Sequence, residues 1–120
     1  MEYLEIVIKL TISLSVLNVW LLRANKPTPW RGADAGSLKD EFKAYGLSES
    51  AMKVVGSIKI LLAVLILVSI FYQPLEKFGA IGMAVMMVGA IAMHIKINDA
   101  LKRSLPAFIF LVLSLILLII

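Results

Sequence analysis

Apolar residues fall into four long runs along the chain, and each run is long enough to cross a lipid bilayer. A membrane-spanning helix needs about 20 mostly apolar residues. The four runs cover residues 3–23, 51–72, 76–97 and about 100–120. Because only helices and closed barrels satisfy their backbone groups in lipid, this pattern predicts an all-α integral membrane protein. We expect a four-helix bundle that forms a single domain over residues 1–120.

The segment between the first two runs has a different pattern, which predicts a short amphipathic helix over residues 38–45. Ser37 followed three residues later by Asp40 is a capping signature, and Gly46 is a typical helix stop. We expect this helix to lie at the membrane interface, either as a connector resting on the bundle or as a lid over a cavity. Its apolar positions share one helical face: Leu38, Phe42 and Tyr45.

The start of the fourth span has two interpretations. Asp99 can cap a helix that Pro106 then kinks, or Ser104 can cap a helix that carries Pro106 in its first turn. The second interpretation leaves 17 residues, about 26 Å at 1.5 Å per residue. We therefore favour the longer, kinked helix.

The composition agrees with a membrane protein and excludes several kinds of chemistry. Hydrophobic residues make up 61% of the chain, against about 45–50% in soluble domains. The absence of cysteine excludes disulfides, thiolate metal sites and a cysteine nucleophile. A single histidine, His94, excludes paired axial haem ligands within one chain, and no spacing supports a zinc or calcium site. We expect no autonomous catalytic activity.

Basic residues flank the predicted loops unequally. Nine lie in or beside the first and third loops, whereas Lys77, at the start of the third run, is the one beside the loop on the other side. The positive-inside rule then places the first and third loops in the cytoplasm and both termini outside it, as in a bacterial inner membrane protein. Membrane topology therefore accounts for the net charge of +4, and no nucleic acid is expected as a partner. The nine residues are Arg23, Lys26, Arg31, Lys39, Lys43, Lys53, Lys96, Lys102 and Arg103.

One lysine lies inside an apolar run. Lys59 is eight residues into the second span, about 12 Å deep, where a charge costs about 2.5–3.5 kcal/mol. Gly56 and Ala63 share its helical face, so we expect Lys59 to face the bundle, because small residues mark packing faces. Asn18 and His94 lie at a compatible depth in the first and third spans. Lys59 either orders the bundle through Asn18 and backbone carbonyls, or forms the polar end of an apolar ligand pocket.

A second polar pair lies on the other half of the predicted bundle. Glu5 and Lys9 have the i,i+4 spacing that favours an ion pair. We expect the two side chains to neutralise each other, with Glu76 nearby, and to have a structural role.

Three segments resemble the DoxX-like family of small four-helix membrane proteins: "KPTPWRGADAGSLKDEFKAYGL", "GSIKILLAVLIL" and "MHIKINDALKRSLPAF". Together they span nearly the whole chain. Many relatives look to have proline after the aspartate, where this chain has Ala100. The most specific positions are Arg31, Gly32, Glu41, Phe42, Tyr45, Gly46, Leu47, Lys59, His94, Asp99, Leu101, Lys102 and Arg103.

The resemblance implies an accessory or binding protein that holds a quinone, a lipid or another amphiphile for a membrane redox partner. The alternative is a structural or assembly subunit, or a chaperone, of a membrane complex with no ligand of its own. Quinone is the one cofactor under consideration, and the expected partners are the lipid bilayer and either another membrane protein or a second copy of the chain. The candidate ligand-binding residues are Asn18, Arg31, Glu41, Tyr45, Lys59 and His94.

Overall fold

The computed structural model describes residues 2–26 and 35–120, and every regular element within these residues is helical. Four helical segments are long and apolar enough to span a membrane, which confirms the predicted all-α membrane bundle. These segments are Tyr3–Leu22, Glu49–Val68, Gln73–Lys96 and Leu101–Ile119. The elements are α1 (Glu2–Leu17) with a following π-helical turn (Asn18–Leu22), α2 (Leu38–Ala44), α3 (Glu49–Val68), a 3₁₀ turn (Gln73–Leu75) with α4 (Glu76–Lys96), and a 3₁₀ turn (Leu101–Ser104) with α5 (Leu105–Ile119).

Helix α2 has the ends that its sequence predicts. The Ser37 hydroxyl accepts a hydrogen bond from the Asp40 backbone N–H at 3.1 Å, which caps the first turn. Gly46 follows the last turn with φ +80°, a left-handed conformation that glycine adopts without steric cost. The apolar face packs against the π-helical turn after α1 and against α3 and α4, so α2 lies on the bundle. The residues of this face are buried: Leu38, Phe42 and Tyr45.

The predicted α-helix from Asp99 with a kink at Pro106 was wrong. Helix α5 begins at Leu105, so Pro106 lies in its first turn, and the preceding Leu101–Ser104 turn is 3₁₀. Proline lacks an N–H, and its ring clashes with the carbonyl four residues earlier in an α-helix. A change of helix type before the proline avoids this clash. The two pieces together still reach from Leu101 to Ile119, which is long enough to span.

The half of the bundle away from α2 is closely packed. A Cβ atom at Gly79 of α4 would lie 2.7 Å from Ile66 of α3, and one at Gly82 would lie 2.4 Å from Leu62. The two helices therefore approach closely through small residues, which is how membrane helices gain packing contacts. The larger buried core cluster of the bundle consists of Ile8, Ile12, Val16, Ala63, Ile66, Ala80, Met83, Met87 and Leu117.

Lys9 is buried in this half and joins three helices. Its ammonium donates to the Ser69 carbonyl at 3.2 Å, at the end of α3, and lies 3.6 Å from Oε1 of Glu76, at the start of α4. The Gln73 amide donates to the other oxygen of Glu76. The predicted pair with Glu5 was wrong: among the described residues, the ion pair of Lys9 is with Glu76. Glu76 and the free carbonyl at a helix end together give the buried ammonium two partners.

On the half that carries α2, helix α3 stays close to α1 but separates from α4. A Cβ atom at Gly56 of α3 would lie 2.5 Å from the ring of Trp20, in the π-helical turn that follows α1. A Cβ atom at Gly89 of α4, by contrast, would have no described atom within 4 Å. A space therefore opens among the helices on this half.

Candidate functional site

A cavity of about 720 Å³ occupies the α2 half of the bundle. Small-molecule sites in proteins have volumes of about 300–1,000 Å³, so this space can hold one ligand of moderate size. Residues from all five helices and from the π-helical turn line it. They are Ser15, Val16, Asn18, Val19, Trp20, Arg23, Leu38, Glu41, Phe42, Tyr45, Leu47, Val55, Lys59, Val85, Met86, Met87, Gly89, Ala90, Met93, His94, Arg103, Pro106, Ala107 and Phe110.

Most of the lining is apolar and adaptable. Helix α4 contributes Met86, Met87 and Met93, whose flexible thioether side chains fit irregular shapes. Helix α5 contributes Phe110 and Ala107. This wall offers dispersion contacts to a hydrocarbon chain or ring, but it has no group that would fix a polar ligand.

Lys59 brings a positive charge into the cavity lining. Its ammonium lies 5.4 Å from the centre of the Trp20 ring, within the range of a cation–π interaction. The ring reaches this position because Gly56, one turn earlier on α3, has no side chain to exclude it. Glu41 of α2 also attracts Lys59 electrostatically. These two interactions offset part of the cost of placing a lysine in a membrane helix.

The π-helical turn shapes this end of α1. It covers Asn18–Leu22, and its last hydrogen bond runs from the Arg23 N–H to the Asn18 carbonyl at 2.9 Å. A π turn widens the helix by one residue per turn and is frequent at functional sites. Two residues of the turn and the residue that follows it line the cavity: Asn18, Trp20 and Arg23.

His94 is held in a fixed orientation by a buried carboxylate. Its Nδ1 atom lies 2.9 Å from Oδ2 of Asp99, whose side chain is 8% exposed. The Asp99 backbone N–H donates to the His94 carbonyl at 3.0 Å, and Arg103 lies 3.9 Å from the other carboxylate oxygen. The Tyr45 ring meets the imidazole edge to face at 6.0 Å. The arrangement positions the histidine as a wall of the cavity.

The structure brings together five of the six candidate residues named from the sequence. Asn18, Glu41, Tyr45, Lys59 and His94 all line this one cavity. The sixth, Arg31, lies outside the described residues. No group of three acidic or histidine side chains suited to a metal ion occurs in the described part of the chain.

Among the lining residues that were not named as site residues from the sequence, three bear on the charged end of the cavity: Trp20, Arg23 and Arg103. Both arginines lie at span ends, where membrane topology already explained them. The sequence signal at Trp20 indicated a different role, because a tryptophan three residues inside a span end is typical of interface anchoring and not of a ligand wall. The position of Trp20 in the cavity wall is seen only in the structure, from its contact with Gly56.

The fold and the cavity define a class, a four-span α-helical membrane protein with a mostly apolar intrabundle cavity that is charged at one end. Within that class, the chain matches the DoxX-like family over residues 31–117, and it belongs to that family. No curated protein and no solved structure matches the chain.

Proposed function

We propose that this DoxX-like protein holds one amphiphilic molecule of the membrane in its intrabundle cavity, as an accessory or binding module for a membrane redox partner. The apolar part of the ligand packs among the methionines of α4, and its polar head lies at Lys59. The observation that carries the proposal is the presence of Lys59 in an otherwise mostly apolar cavity lining. The link to a redox partner comes from the family resemblance alone.

The lining selects for a head group that accepts hydrogen bonds. A lysine ammonium has three donors and no acceptor. A quinone carbonyl, a carboxylate or a phosphate would each accept from it, and hydrogen bonds to a charged group contribute about 1.5–3 kcal/mol. Arg23 and Arg103 line the same cavity, as does Glu41, so basic side chains outnumber acidic ones in the lining although Arg103 also lies beside Asp99. An acidic or carbonyl head therefore fits better than a cationic one.

Filling the cavity also favours binding through its apolar wall. Atoms that line an empty space lose dispersion contacts on one side. A hydrocarbon chain or ring restores these contacts without requiring any further hydrogen bond. The ligand thus needs a polar head and an apolar body, which together describe an amphiphile.

Purification in a mild detergent, followed by mass spectrometry of bound small molecules, tests the proposal. Lys59→Met keeps most of the side-chain volume and removes the charge. We expect this variant to fold and to lose co-purifying amphiphile by about tenfold or more, the loss that about 1.4 kcal/mol of binding energy represents. Lys53→Met is the matched control, since Lys53 lies on the same helix, is exposed and does not line the cavity.

The result separates this proposal from the assembly-subunit alternative. An unchanged amount of amphiphile in Lys59→Met would contradict the proposed role of the lysine. A wild-type protein that carries no amphiphile but purifies in a fixed ratio with another membrane protein would favour the assembly subunit.

A further inference from the structure

We propose that the ligand enters the cavity sideways from the bilayer, through an opening between α3 and α4 at Gly89, and that it is a single-chain lipid with an acidic head. This inference rests on the proposed function and adds to it the source of the ligand and its route. Three features of the structure support it: the divergence of α3 and α4, the exposure of the lining residues Val85 and Gly89, and the closed end under α2.

The contact between α3 and α4 ends abruptly along α4. At Gly79 and Gly82 the two helices are so close that an added Cβ atom would overlap α3 side chains. Gly89 lies seven residues after Gly82, about two turns further along the same helical face. A Cβ atom there would meet no described atom within 4 Å. The interface between α3 and α4 is therefore closely packed near Gly79 and Gly82 and open near Gly89.

The cause of the divergence is the packing of α3 on α1. Gly56 lets α3 rest directly against the Trp20 ring, which holds this part of α3 beside α1. Gly89 adds no side chain on α4 that could bridge the gap. The absence of a side chain at Gly56 thus lets α3 lie close to Trp20, and the absence of one at Gly89 leaves the space between α3 and α4 unfilled.

The residues at this opening line the cavity and are also exposed. Gly89 and Val85 both belong to the lining; Gly89 is exposed, and Val85 is 64% exposed. Both lie within the membrane-spanning segment Gln73–Lys96. Since the outside of a span faces lipid tails, the cavity is continuous with the hydrocarbon region of the bilayer.

The end of the cavity under α2 is covered by a row of rings. Trp20 meets Phe42 at 5.8 Å, Phe42 meets Tyr45 at 5.7 Å, and Tyr45 meets His94 at 6.0 Å between ring centres. Phe42 and Tyr45 are buried. A ligand approaching from this side would have to displace α2, whereas a lipid chain in the bilayer already lies beside Gly89.

The dimensions and charge of the cavity narrow the ligand class. A gap between two neighbouring helices admits a slender chain more readily than a bulky ring system or two chains side by side. The volume of about 720 Å³ suits a single ligand of moderate size. Lys59 could also bind a neutral carbonyl, but three basic side chains against the one carboxylate of Glu41 in the lining favour an acidic head such as a carboxylate.

The route can be closed and reopened in protein that is already folded. The chain has no cysteine, so Gly89→Cys introduces a single thiol at the opening. A bulky methanethiosulfonate reagent then attaches by a disulfide that a reductant removes. Ala92→Cys is the matched control, because Ala92 is exposed about one turn further along α4 and does not line the cavity.

The probe is a brominated fatty acid added to phosphatidylcholine vesicles that contain the protein. Bromine quenches tryptophan fluorescence at short range, and Trp30→Phe in every variant leaves Trp20 in the cavity wall as the one fluorophore. We expect the bulky group at position 89 to slow quenching by about tenfold, equivalent to about 1.4 kcal/mol of added barrier. Removal of the group with reductant should restore the original rate, and labelled Ala92→Cys should quench at the original rate.

The outcomes separate the route from the function. Unchanged kinetics in labelled Gly89→Cys, with quenching lost in Lys59→Met, would overturn the route and leave the proposed function standing. Equal slowing in labelled Ala92→Cys would also overturn the route. An absence of Trp20 quenching in the unlabelled protein, or equal quenching in Lys59→Met, would overturn the proposed function and the route with it.

Discussion

The ammonium of Lys59 lies 5.4 Å from the centre of the Trp20 ring, so a charge on α3 is held over an aromatic face at the end of α1. Two features of the backbone produce this relationship. The π-helical turn Asn18–Leu22 contains Trp20, and the missing side chain of Gly56 lets the ring lie on α3. The contact fixes the lysine at the cavity before any ligand binds. In the terms of the proposed function, it preorganises the polar end of the site.

Removing the ring should weaken both the bundle and the site. A cation–π contact contributes about 0.5–2 kcal/mol, depending on how far it is shielded from water. We expect Trp20→Leu to destabilise the protein by at least this amount in detergent melts, since the ring's packing on Gly56 is lost as well. The stability of Trp20→Phe should lie between those of the wild type and Trp20→Leu, because this variant keeps a smaller ring.

A double-mutant cycle with Lys59→Met isolates the pair. If the ring and the ammonium interact, the double variant should lose less stability than the sum of the single variants, by about 0.5–2 kcal/mol. Strict additivity would show that Trp20 acts through packing alone.

Two glycines of the same helix should respond in opposite ways to alanine. At Gly79 the new Cβ atom would lie 2.7 Å from an Ile66 side-chain carbon and 3.3 Å from the Ile66 backbone nitrogen. We expect Gly79→Ala to cost about 1–3 kcal/mol of stability, the usual cost of overpacking. Gly89→Ala meets open space and should be neutral or stabilising by about 0.4–1 kcal/mol, through reduced freedom of the unfolded chain. Equal melting temperatures for the two variants would contradict the divergence of α3 and α4.

The sequence was sufficient to predict what depends on local periodicity. The four spans follow from run length, and α2 follows from the Ser37 cap, the Gly46 stop and one apolar face. The convergence of Asn18, Lys59 and His94 could also be predicted, because a fixed rise per residue converts position in a span into depth.

The features that could not be predicted from the sequence depend on contacts between distant residues or on small differences in backbone geometry. Gly79 and Gly89 look equivalent in a sequence, but one is in close contact with α3 and the other faces open space. The sequence placed Glu76 near Lys9, but it did not show that Lys9 pairs with Glu76 rather than with Glu5, because that depends on how the ends of α3 and α4 meet beside it. The π turn that contains Trp20 has no sequence signature of its own.

Removing the charge of only one member of the buried Lys9–Glu76 pair should strongly destabilise the protein. The Lys9 side chain is 2% exposed and the Glu76 side chain 10%. Removing one member leaves the other charge buried without its ion-pair partner, which costs about 3–5 kcal/mol in proteins. We expect large losses of stability in Lys9→Met and in Glu76→Gln, measured by thermal melting in detergent.

The double variant provides the control for this pair. Lys9→Met combined with Glu76→Gln removes both charges, so it should be more stable than the sum of the single effects predicts. Because neither residue lines the cavity, amphiphile bound per folded molecule should stay at the wild-type level. Single variants as stable as the wild type would show that the pair contributes little.

The basic residues predict the orientation of the protein in its membrane, and single thiols can test this prediction. Nine basic residues lie in or beside the α1–α3 and α4–α5 connections, and Lys77, at the start of the third predicted span, is the one beside the loop on the other side. The positive-inside rule therefore predicts that α2 faces the cytoplasm and that both termini face away from it. In a bacterial host, an impermeant maleimide should label Gln73→Cys in intact spheroplasts, and it should label Lys39→Cys and Lys102→Cys only after lysis. The cysteine-free parent gives the background, and labelling of Lys39→Cys in intact spheroplasts would reverse the orientation.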